Sequence, residues 1–242
     1  MYKRQTRAIV ALIKENQINR DNLYIIGIPC KGMIDRHKVD ALLEGKELLE
    51  TEDKGDTIVL KGKDFSQEAK VDELYHDTCK TCGYGTPVIY DMLIGDPVPA
   101  KEDTYADITS FEAKSALERN QLLAEDLSKC IRCYACRNVC PMCYCAECFV
   151  DCSTPVWIDK APNTADNMMF QAVRVLHLAG RCVDCGACDR ACPMGINLRG
   201  ITRKMVKDVK ELFGYEAGVN MEDKPALSDY TVDDPESFLV KE

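Results

Sequence analysis

The chain has 242 residues, a net charge of −9 and 46% apolar residues, enough for one or two domains with a real core. The acidic balance argues against nucleic-acid binding, and no apolar run approaches the length of a membrane span. Fifteen cysteines, an odd number without a recognisable signal peptide, favour metal or cluster ligands in a reducing, cytoplasmic compartment over disulfides.

The first five residues, Met1-Tyr-Lys-Arg-Gln5, match the translated end of a transposase adaptor that is used to prepare sequencing libraries. We therefore expect residues 1–5 to be a scar that carries no information about the fold. The chain is then expected to be an N-terminally truncated fragment, and ligands upstream are expected to be missing with the lost segment.

Residues 6–97 are expected to form a small α/β module. Apolar spacing predicts a helix over residues 6–18, an apolar strand over 23–28, a helix over 39–49 and a strand over 57–60. Cys30 lies in a tight turn, and Cys79 and Cys82 form a Cys-x2-Cys turn. Residues 98–108, rich in proline and acidic side chains, are predicted to be a linker.

Residues 109–215 are predicted to be all-helical, which makes the whole chain α+β. Thr109 and Glu112 have the spacing of a capping box. A helix is predicted over residues 164–179, and its apolar stripe is expected to face the core: Met168, Met169, Ala172, Val173, Leu176 and Ala179. A last helix is predicted over 197–213, with Gly214 as its stop. Residues 216–242 are expected to be an acidic tail that wraps a partner or stays loose.

Two cysteine motifs share the spacing x2, x2, x3 and a following proline, which is typical of bacterial ferredoxins with two clusters. They are Cys130, Cys133, Cys136 and Cys140 before Pro141, and Cys182, Cys185, Cys188 and Cys192 before Pro193. In this pattern the fourth cysteine binds the other cluster. Cluster one is therefore predicted to use Cys130, Cys133, Cys136 and Cys192, and cluster two Cys182, Cys185, Cys188 and Cys140. Zinc is the alternative, because Cys-x2-Cys pairs also form structural zinc sites.

Residues 109–215 resemble the α-helical ferredoxins with two [4Fe-4S] clusters, found in the C subunit of heterodisulfide reductase and the iron–sulfur subunit of succinate dehydrogenase. The run from Arg174 to Cys182 and the stretch Cys192-Pro-Met-Gly-Ile196 carry this resemblance, together with the long helices around both motifs. The chain departs from that family in the spacer, which has four extra cysteines: Cys143, Cys145, Cys148 and Cys152.

Residues 6–97 resemble part of the beta subunit of hydrogenases and dehydrogenases that reduce a deazaflavin coenzyme. The resemblance rests on Gly27-Ile-Pro-Cys30, the Cys79 and Cys82 pair, and Ile94-Gly95-Asp96. It implies an iron–sulfur cluster and a flavin. Much of the flavin domain of that family has no counterpart here, which puts a flavin on this chain in doubt.

Seven cysteines lie outside the two motifs. Cys30, Cys79 and Cys82 are one ligand short of a third [4Fe-4S] cluster, and the fourth ligand would come from the spacer or from the missing N-terminus. A zinc site that joins Cys79 and Cys82 to Cys145 and Cys148 is an alternative, as are free buried thiols. A separate metal site formed by the four spacer cysteines is a further alternative.

These patterns predict an iron–sulfur subunit that relays single electrons in an anaerobic, multisubunit oxidoreductase of the hydrogenase, formate dehydrogenase or heterodisulfide reductase type. The expected partners are catalytic or flavin subunits, not nucleic acid. The relay needs no catalytic acid–base residue of its own, so whether the chain is an enzyme stays open. Two alternatives are a flavin-linked subunit that itself reduces a soluble coenzyme, and a non-redox zinc protein.

Overall fold

The structure is a computed structural model that describes residues 3–226 and residue 228. The helices are α1 (Lys3–Lys14), α2 (Arg36–Leu43), α3 (Val71–Leu74), α4 (Asp77–Lys80), α5 (Ala106–Glu112), α6 (Ala116–Ser128), α7 (Ala135–Asn138), α8 (Thr164–His177), α9 (Ala187–Ala191) and α10 (Leu198–Phe213). The strands are β1 (Ile26–Gly27), β2 (Glu50–Asp53), β3 (Thr57–Lys61), β4 (Ser66–Lys70) and β5 (Met92–Leu93).

The chain divides into two compact units, and the α+β fold class is confirmed. The first unit is built from Ile25–Thr104 and contains the strands, whereas the second combines Arg4–Tyr24 with the chain from Tyr105 onward and is helical. Among the described residues, no helix has both the length and the apolar character that a membrane span needs.

In the first unit, β2, β3 and β4 form an antiparallel sheet in which Ile58 lies opposite Ala69. The middle strand confirms the strand predicted over residues 57–60. Two of its three buried side chains, those of Ile58 and Leu60, pack against Val39 and Leu43 of α2. A separate parallel pair joins β1 to β5.

Two other predicted elements of this unit are shorter in the structure. The helix predicted over 39–49 is α2, which begins after its cap Asp35 and ends before Glu44, a residue in the left-handed region with φ 50°. The strand predicted over 23–28 is reduced to β1. Ile25 is 2% exposed and Ile26 41%, so this apolar run alternates between core and surface as a one-sided strand does.

The division between the two units falls between Thr104 and Tyr105, within the linker predicted over residues 98–108, and each end of this segment is packed in its own unit. Val98 exchanges two 2.9 Å hydrogen bonds with the hydroxyl of Thr86, and the amide of Lys101 donates to the carbonyl of Gly83, all within the first unit. In the second unit, Tyr105 is buried and immediately precedes α5.

The first helix belongs to the second unit, not to the N-terminal module predicted for residues 6–97. Arg7 donates from Nε and Nη2 to the carbonyl of Ala217, at 3.1 and 2.8 Å, and pairs with Glu216 at 3.1 Å. Ala8 packs in the same core as Tyr215. The beginning of the predicted loose tail is therefore packed on α1, while residues 227 and 229–242 of that tail lie outside the described residues.

The capping box lies one helix later than predicted. Thr109 lies inside α5, and the reciprocal bonds are made at the start of α6. There the Ser115 hydroxyl accepts from the amide of Glu118 at 3.3 Å, and the Glu118 carboxylate accepts from the amide of Ser115 at 2.8 Å.

The last two long helices begin where the sequence predicts. Asn163 caps α8 by accepting from the amide of Asp166 at 2.9 Å, and Asn197 caps α10 in the same way. Gly214, with φ 63°, ends α10. These caps satisfy backbone donors that a helix end otherwise leaves without partners.

The predicted inward face of α8 is wrong. Met169 is 55% exposed and Leu176 is 62% exposed. The buried residues lie on the opposite side of the helix: Asn167, Phe170, Gln171, Arg174 and Val175. Three of them, Asn167, Gln171 and Arg174, are polar.

We expect Gly218→Ala to destabilise the second unit more than Gly214→Ala. Both glycines have positive φ, +70° and +63°, where an L-residue costs about 1–2 kcal/mol. A Cβ on Gly218 would overlap the backbone of Arg7, whereas one on Gly214 would meet nothing within 4 Å. Anaerobic chemical denaturation of both variants should show about 1–3 kcal/mol of additional loss for Gly218→Ala. Equal losses would contradict the packing of this segment on α1.

Candidate metal centre

The two ferredoxin-like motifs fold into loops with the same backbone. In the first, Arg132 and Tyr134 have φ of 57° and 58°, and in the second Asp184 and Gly186, at the matching positions, have φ of 51° and 65°. Three of these four are not glycine, so their left-handed conformation is uncommon. Such alternating conformations turn successive backbone N–H groups toward one concave surface, which suits an anionic cluster.

A short helix follows each loop, with matching hydrogen bonds. The amide of Asn138 donates to the carbonyl of Tyr134 at 3.0 Å, and the amide of Arg190 donates to the carbonyl of Gly186 at 3.3 Å. These helices, α7 and α9, pack against each other. The repeat seen in the cysteine spacing is therefore also a repeat in three dimensions.

The four cysteines predicted for cluster one line a single cavity. Its lining includes Cys130, Cys133 and Cys136 from the first motif and Cys192 from the second. Apolar side chains complete much of the wall, among them Ile196. The structure thus brings the last cysteine of the second motif to the first three of the other, as the crossed pattern predicts.

The other four predicted ligands are divided between two cores. Cys140 packs with Cys182 and Cys185 around Met142, whereas Cys188 packs in the core that contains Cys136. Cys182 interacts electrostatically with both Cys185 and Cys188. In the described part of the chain, no three His, Cys, Asp or Glu side chains are gathered as ligands of a single metal ion.

Each loop is fixed through its first left-handed residue. Arg132, 7% exposed, donates to the carbonyls of Asp166 and Asp159 at 2.9 and 2.6 Å. At the matching position, Asp184 accepts from Arg199 at 2.7 and 2.6 Å and from Arg203 at 2.9 Å. The hydrogen-bonding groups differ between the two loops. In both, however, a neighbouring segment holds the left-handed residue in place.

The inward side of α8 supplies polar contacts to both motifs. Asn167, which is fully buried, donates from Nδ2 to the carbonyls of Leu127 and Cys130 at 3.1 and 2.9 Å. Gln171 and Arg174, one and two turns further along, reach Cys136. Sequence analysis missed these residues, although their spacing of i, i+4 and i+7 puts them on one face.

Burial raises the pKa of the thiols of Cys136, Cys182 and Cys188, for Cys188 to about 12. A hydrogen bond between Cys140 and Cys143 raises the pKa of Cys140 and lowers that of Cys143 to about 7. The thiols of Cys136, Cys182 and Cys188 are therefore protonated at neutral pH in the protein without metal. Binding a metal would release their protons, because the thiolate is the ligand.

Three of the seven remaining cysteines lie in the first unit. The amide of Cys30 donates to the carbonyl of Gly85 at 2.9 Å, and the amide of Cys82 donates to the carbonyl of Cys79 at 3.2 Å. Tyr75 interacts with both Cys30 and Cys79, and burial followed by these two thiols raises the pKa of Tyr75. Cys30 and the Cys-x2-Cys turn thus share one aromatic neighbour.

The spacer cysteines lie in the second unit. Cys143, Cys145 and Cys148 line a second cavity, whose basic lining residues are Arg137, Arg174, His177 and Arg181. The Cys152 thiol lies 3.7 Å from the carbonyl of Cys148 and does not line that cavity. The structure therefore brings three of the four spacer cysteines together.

We expect Asn167→Leu to destabilise the second unit by about 2 kcal/mol. The substitution keeps the branching of the side chain at Cγ but leaves the carbonyls of Leu127 and Cys130 without these donors, and a buried unsatisfied group costs about 1–3 kcal/mol. Asn120→Leu, on the exposed side of α6, is the control and should change stability by less than about 0.5 kcal/mol. Anaerobic denaturation midpoints measure both, and equal effects would contradict the anchoring role of Asn167.

Comparison with known proteins gives relatives of one kind, although no family model matches the chain. It is 26% identical to F420-dependent formate dehydrogenase subunit beta of Methanocaldococcus jannaschii, with 88% of this chain and 71% of the relative aligned. It is 29% identical to F420-dependent formate dehydrogenase 1 subunit beta of Methanococcus maripaludis, with 91% and 72% aligned. The resemblance to beta subunits, predicted for residues 6–97, thus extends over about nine-tenths of the chain, and the chain is similar to subunits of oxidoreductases.

Proposed function

We propose that this chain is an iron–sulfur electron-transfer subunit of a multisubunit anaerobic oxidoreductase of the formate dehydrogenase type. Cluster one is held by Cys130, Cys133, Cys136 and Cys192. Cluster two is held by Cys182, Cys185, Cys188 and Cys140. Both are [4Fe-4S] clusters, and the chain passes single electrons between them and its partner subunits in the cytoplasm.

The matched backbone of the two motif loops carries this proposal. Cysteine spacing alone also occurs in zinc sites, but paired loops with left-handed residues at the same two positions suit two similar anionic groups. The packing of α7 against α9 keeps the two loops adjacent. Adjacent clusters are what a relay needs, because electron transfer between them becomes faster as their separation falls.

The residues around the thiols fit iron–sulfur clusters. Arg132 lines the cavity of cluster one, and its Nε has no hydrogen-bond partner among the described residues although it is buried. Thiolate-bound clusters carry negative charge, and hydrogen bonds and burial adjust their reduction potentials. A buried donor left over by the protein is therefore suited to a sulfur acceptor.

One edge of cluster one would face the surface. Cys133 is exposed, and its neighbours Ile131 and Met194 are 55% and 41% exposed while they line the same cavity. An exposed ligand with apolar neighbours suits a contact with a partner subunit, because the contact would exclude water where the electron crosses.

A second candidate is a flavin-linked subunit that itself reduces a soluble coenzyme. The description of both relatives as F420-dependent favours it. It predicts a flavin that copurifies with the complex and is lost with this chain. Absorption spectra of the complex with and without the chain separate the two candidates.

A third metal site in the first unit also belongs to the proposal. Cys30, Cys79 and Cys82 are its ligands, and their common neighbour Tyr75 supports it. Thiolates suit both iron–sulfur clusters and zinc, so the metal is a [4Fe-4S] cluster or zinc. The spacer residues Cys143, Cys145, Cys148 and Cys152 stay predicted metal ligands.

We expect about 8 iron per chain after anaerobic reconstitution if two cubes form, and about 12 if the first unit adds a third. Iron, acid-labile sulfide and zinc are measured on one sample of the wild-type chain and on Cys30→Ser. If the third site is a cube, Cys30→Ser should lose about 4 iron and keep the paramagnetic signals of the other two. Zinc in place of iron in the wild type would contradict the relay.

We expect substitutions within one crossed ligand set to give matching spectra. Cys192→Ala and Cys130→Ala should leave the same residual paramagnetic resonance signal, because both remove a ligand of cluster one. Cys140→Ala and Cys182→Ala should share the other signal. Ligation without crossing predicts instead that Cys192→Ala matches Cys182→Ala, so the pairing of the four spectra decides the assignment.

A further inference from the structure

Two polar side chains on the inward face of α8 are almost completely buried. Gln171 is 1% exposed and Arg174 is 3% exposed. Burying a charged side chain is costly unless another group compensates its charge. Within the described residues, Arg174 forms no ion pair with a carboxylate, and its Nε has no hydrogen-bond partner.

The neighbours of Gln171 and Arg174 belong to the two motifs. Gln171 donates from Nε2 to the sulfur of Cys136 at 3.8 Å. Arg174 donates from Nη2 to the carbonyl of Cys136 at 3.2 Å, and its charge interacts with the thiol of Cys188. Cys136 and Cys188 are the third cysteines of their motifs and the two buried cysteines of the described chain.

The charge of Arg174 is surrounded by thiols. Its guanidinium interacts electrostatically with the side chains of Cys136, Cys188, Cys140 and Cys143. Under the crossed assignment, Cys136 belongs to cluster one, and Cys188 and Cys140 belong to cluster two. One buried guanidinium therefore lies near ligands of both clusters, whereas Gln171 contacts a ligand of cluster one.

We propose that Gln171 and Arg174 set the reduction potentials of the two clusters, with Arg174 acting on both and Gln171 on cluster one alone. This inference rests on the proposed function, because it requires the clusters. Neither residue is a ligand. Both are positioning residues that act through the hydrogen bonds and the charge that they direct at cysteine ligands.

The direction of the effect follows from charge. A cluster that accepts one electron from a reductant such as dithionite gains one negative charge, and no bond is formed or broken. A nearby positive charge or an N–H donor to sulfur stabilises the reduced form more than the oxidised form. Arg174 and Gln171 therefore raise the potentials, and their removal should lower them.

The test is a redox titration of the reconstituted chain, monitored by paramagnetic resonance. Arg174→Met keeps the length of the side chain and removes its charge, and it should lower both midpoints. We expect the reduction equilibrium constant of each cluster to fall at least about tenfold, which is about 59 mV for one electron. Arg174→Lys keeps the charge and should shift both midpoints less than Arg174→Met does.

Gln171→Leu removes the hydrogen bond to Cys136 and keeps the charge of Arg174, although it also removes the 3.5 Å bond that Gln171 Oε1 accepts from Arg174. It should lower one midpoint, that of the cluster whose signal is lost in Cys192→Ala, and leave the other unchanged. Gln121→Leu, on the exposed side of α6, is the matched control and should change neither midpoint. A shift of both midpoints or of neither in Gln171→Leu would overturn its assigned role.

Failure of the proposed function is distinguishable from failure of this inference. A wild-type chain that binds no iron contradicts the proposed function. A wild-type chain with two clusters, and an Arg174→Met variant with unchanged iron content and unchanged midpoints, overturns the inference alone. If Arg174→Met does not retain its iron, Arg174→Lys and Gln171→Leu decide. Unmoved midpoints in both overturn the proposal, and a shift in one cluster for Gln171→Leu supports it.

Discussion

The arrangement of the second unit depends on the polar contacts that α8 makes with the two motif loops. Asn167 holds the carbonyls at the entry of the first loop, and Gln171 and Arg174 contact the third cysteines. Irregular loops leave backbone N–H and C=O groups without the hydrogen bonds of helices and sheets, so covering these loops with an apolar surface would be costly. A helix with a polar inward face covers these loops and satisfies their hydrogen-bonding groups.

The need of the motif loops for polar partners explains which features of the second unit can be predicted from the sequence and which cannot. The starts of α8 and α10 follow from local chemistry, since Asn163, Asn197 and Gly214 act within one turn of the helix ends. The inward face of α8 could not be predicted from apolar periodicity, which assumes an apolar core. Apolar periodicity therefore predicts that Met169 and Leu176 are buried, but both are exposed, while Gln171 and Arg174 lie in the interior.

Long-range contacts account for the other differences. The packing of α1 in the second unit depends on hydrogen bonds from Arg7 to the carbonyl of Ala217, more than 200 positions away. No local sequence pattern predicts such a partner. The clamp on Asp184 by Arg199 and Arg203 is of the same kind. By contrast, the cysteine spacing is a local pattern, and the four cysteines that it predicts for cluster one line one cavity: Cys130, Cys133, Cys136 and Cys192.

The left-handed residues of the motif loops have a consequence for the lifetime of the protein. Arg132, Tyr134 and Asp184 are held in conformations that an unrestrained chain would leave. A cluster bound by the neighbouring thiols would add to the restraint from the hydrogen bonds of Arg132 and Asp184, since metal binding and local folding share one free energy. Oxidative loss of a cluster would then release its loop to proteases, so exposure to oxygen would govern turnover of the subunit as well as its colour.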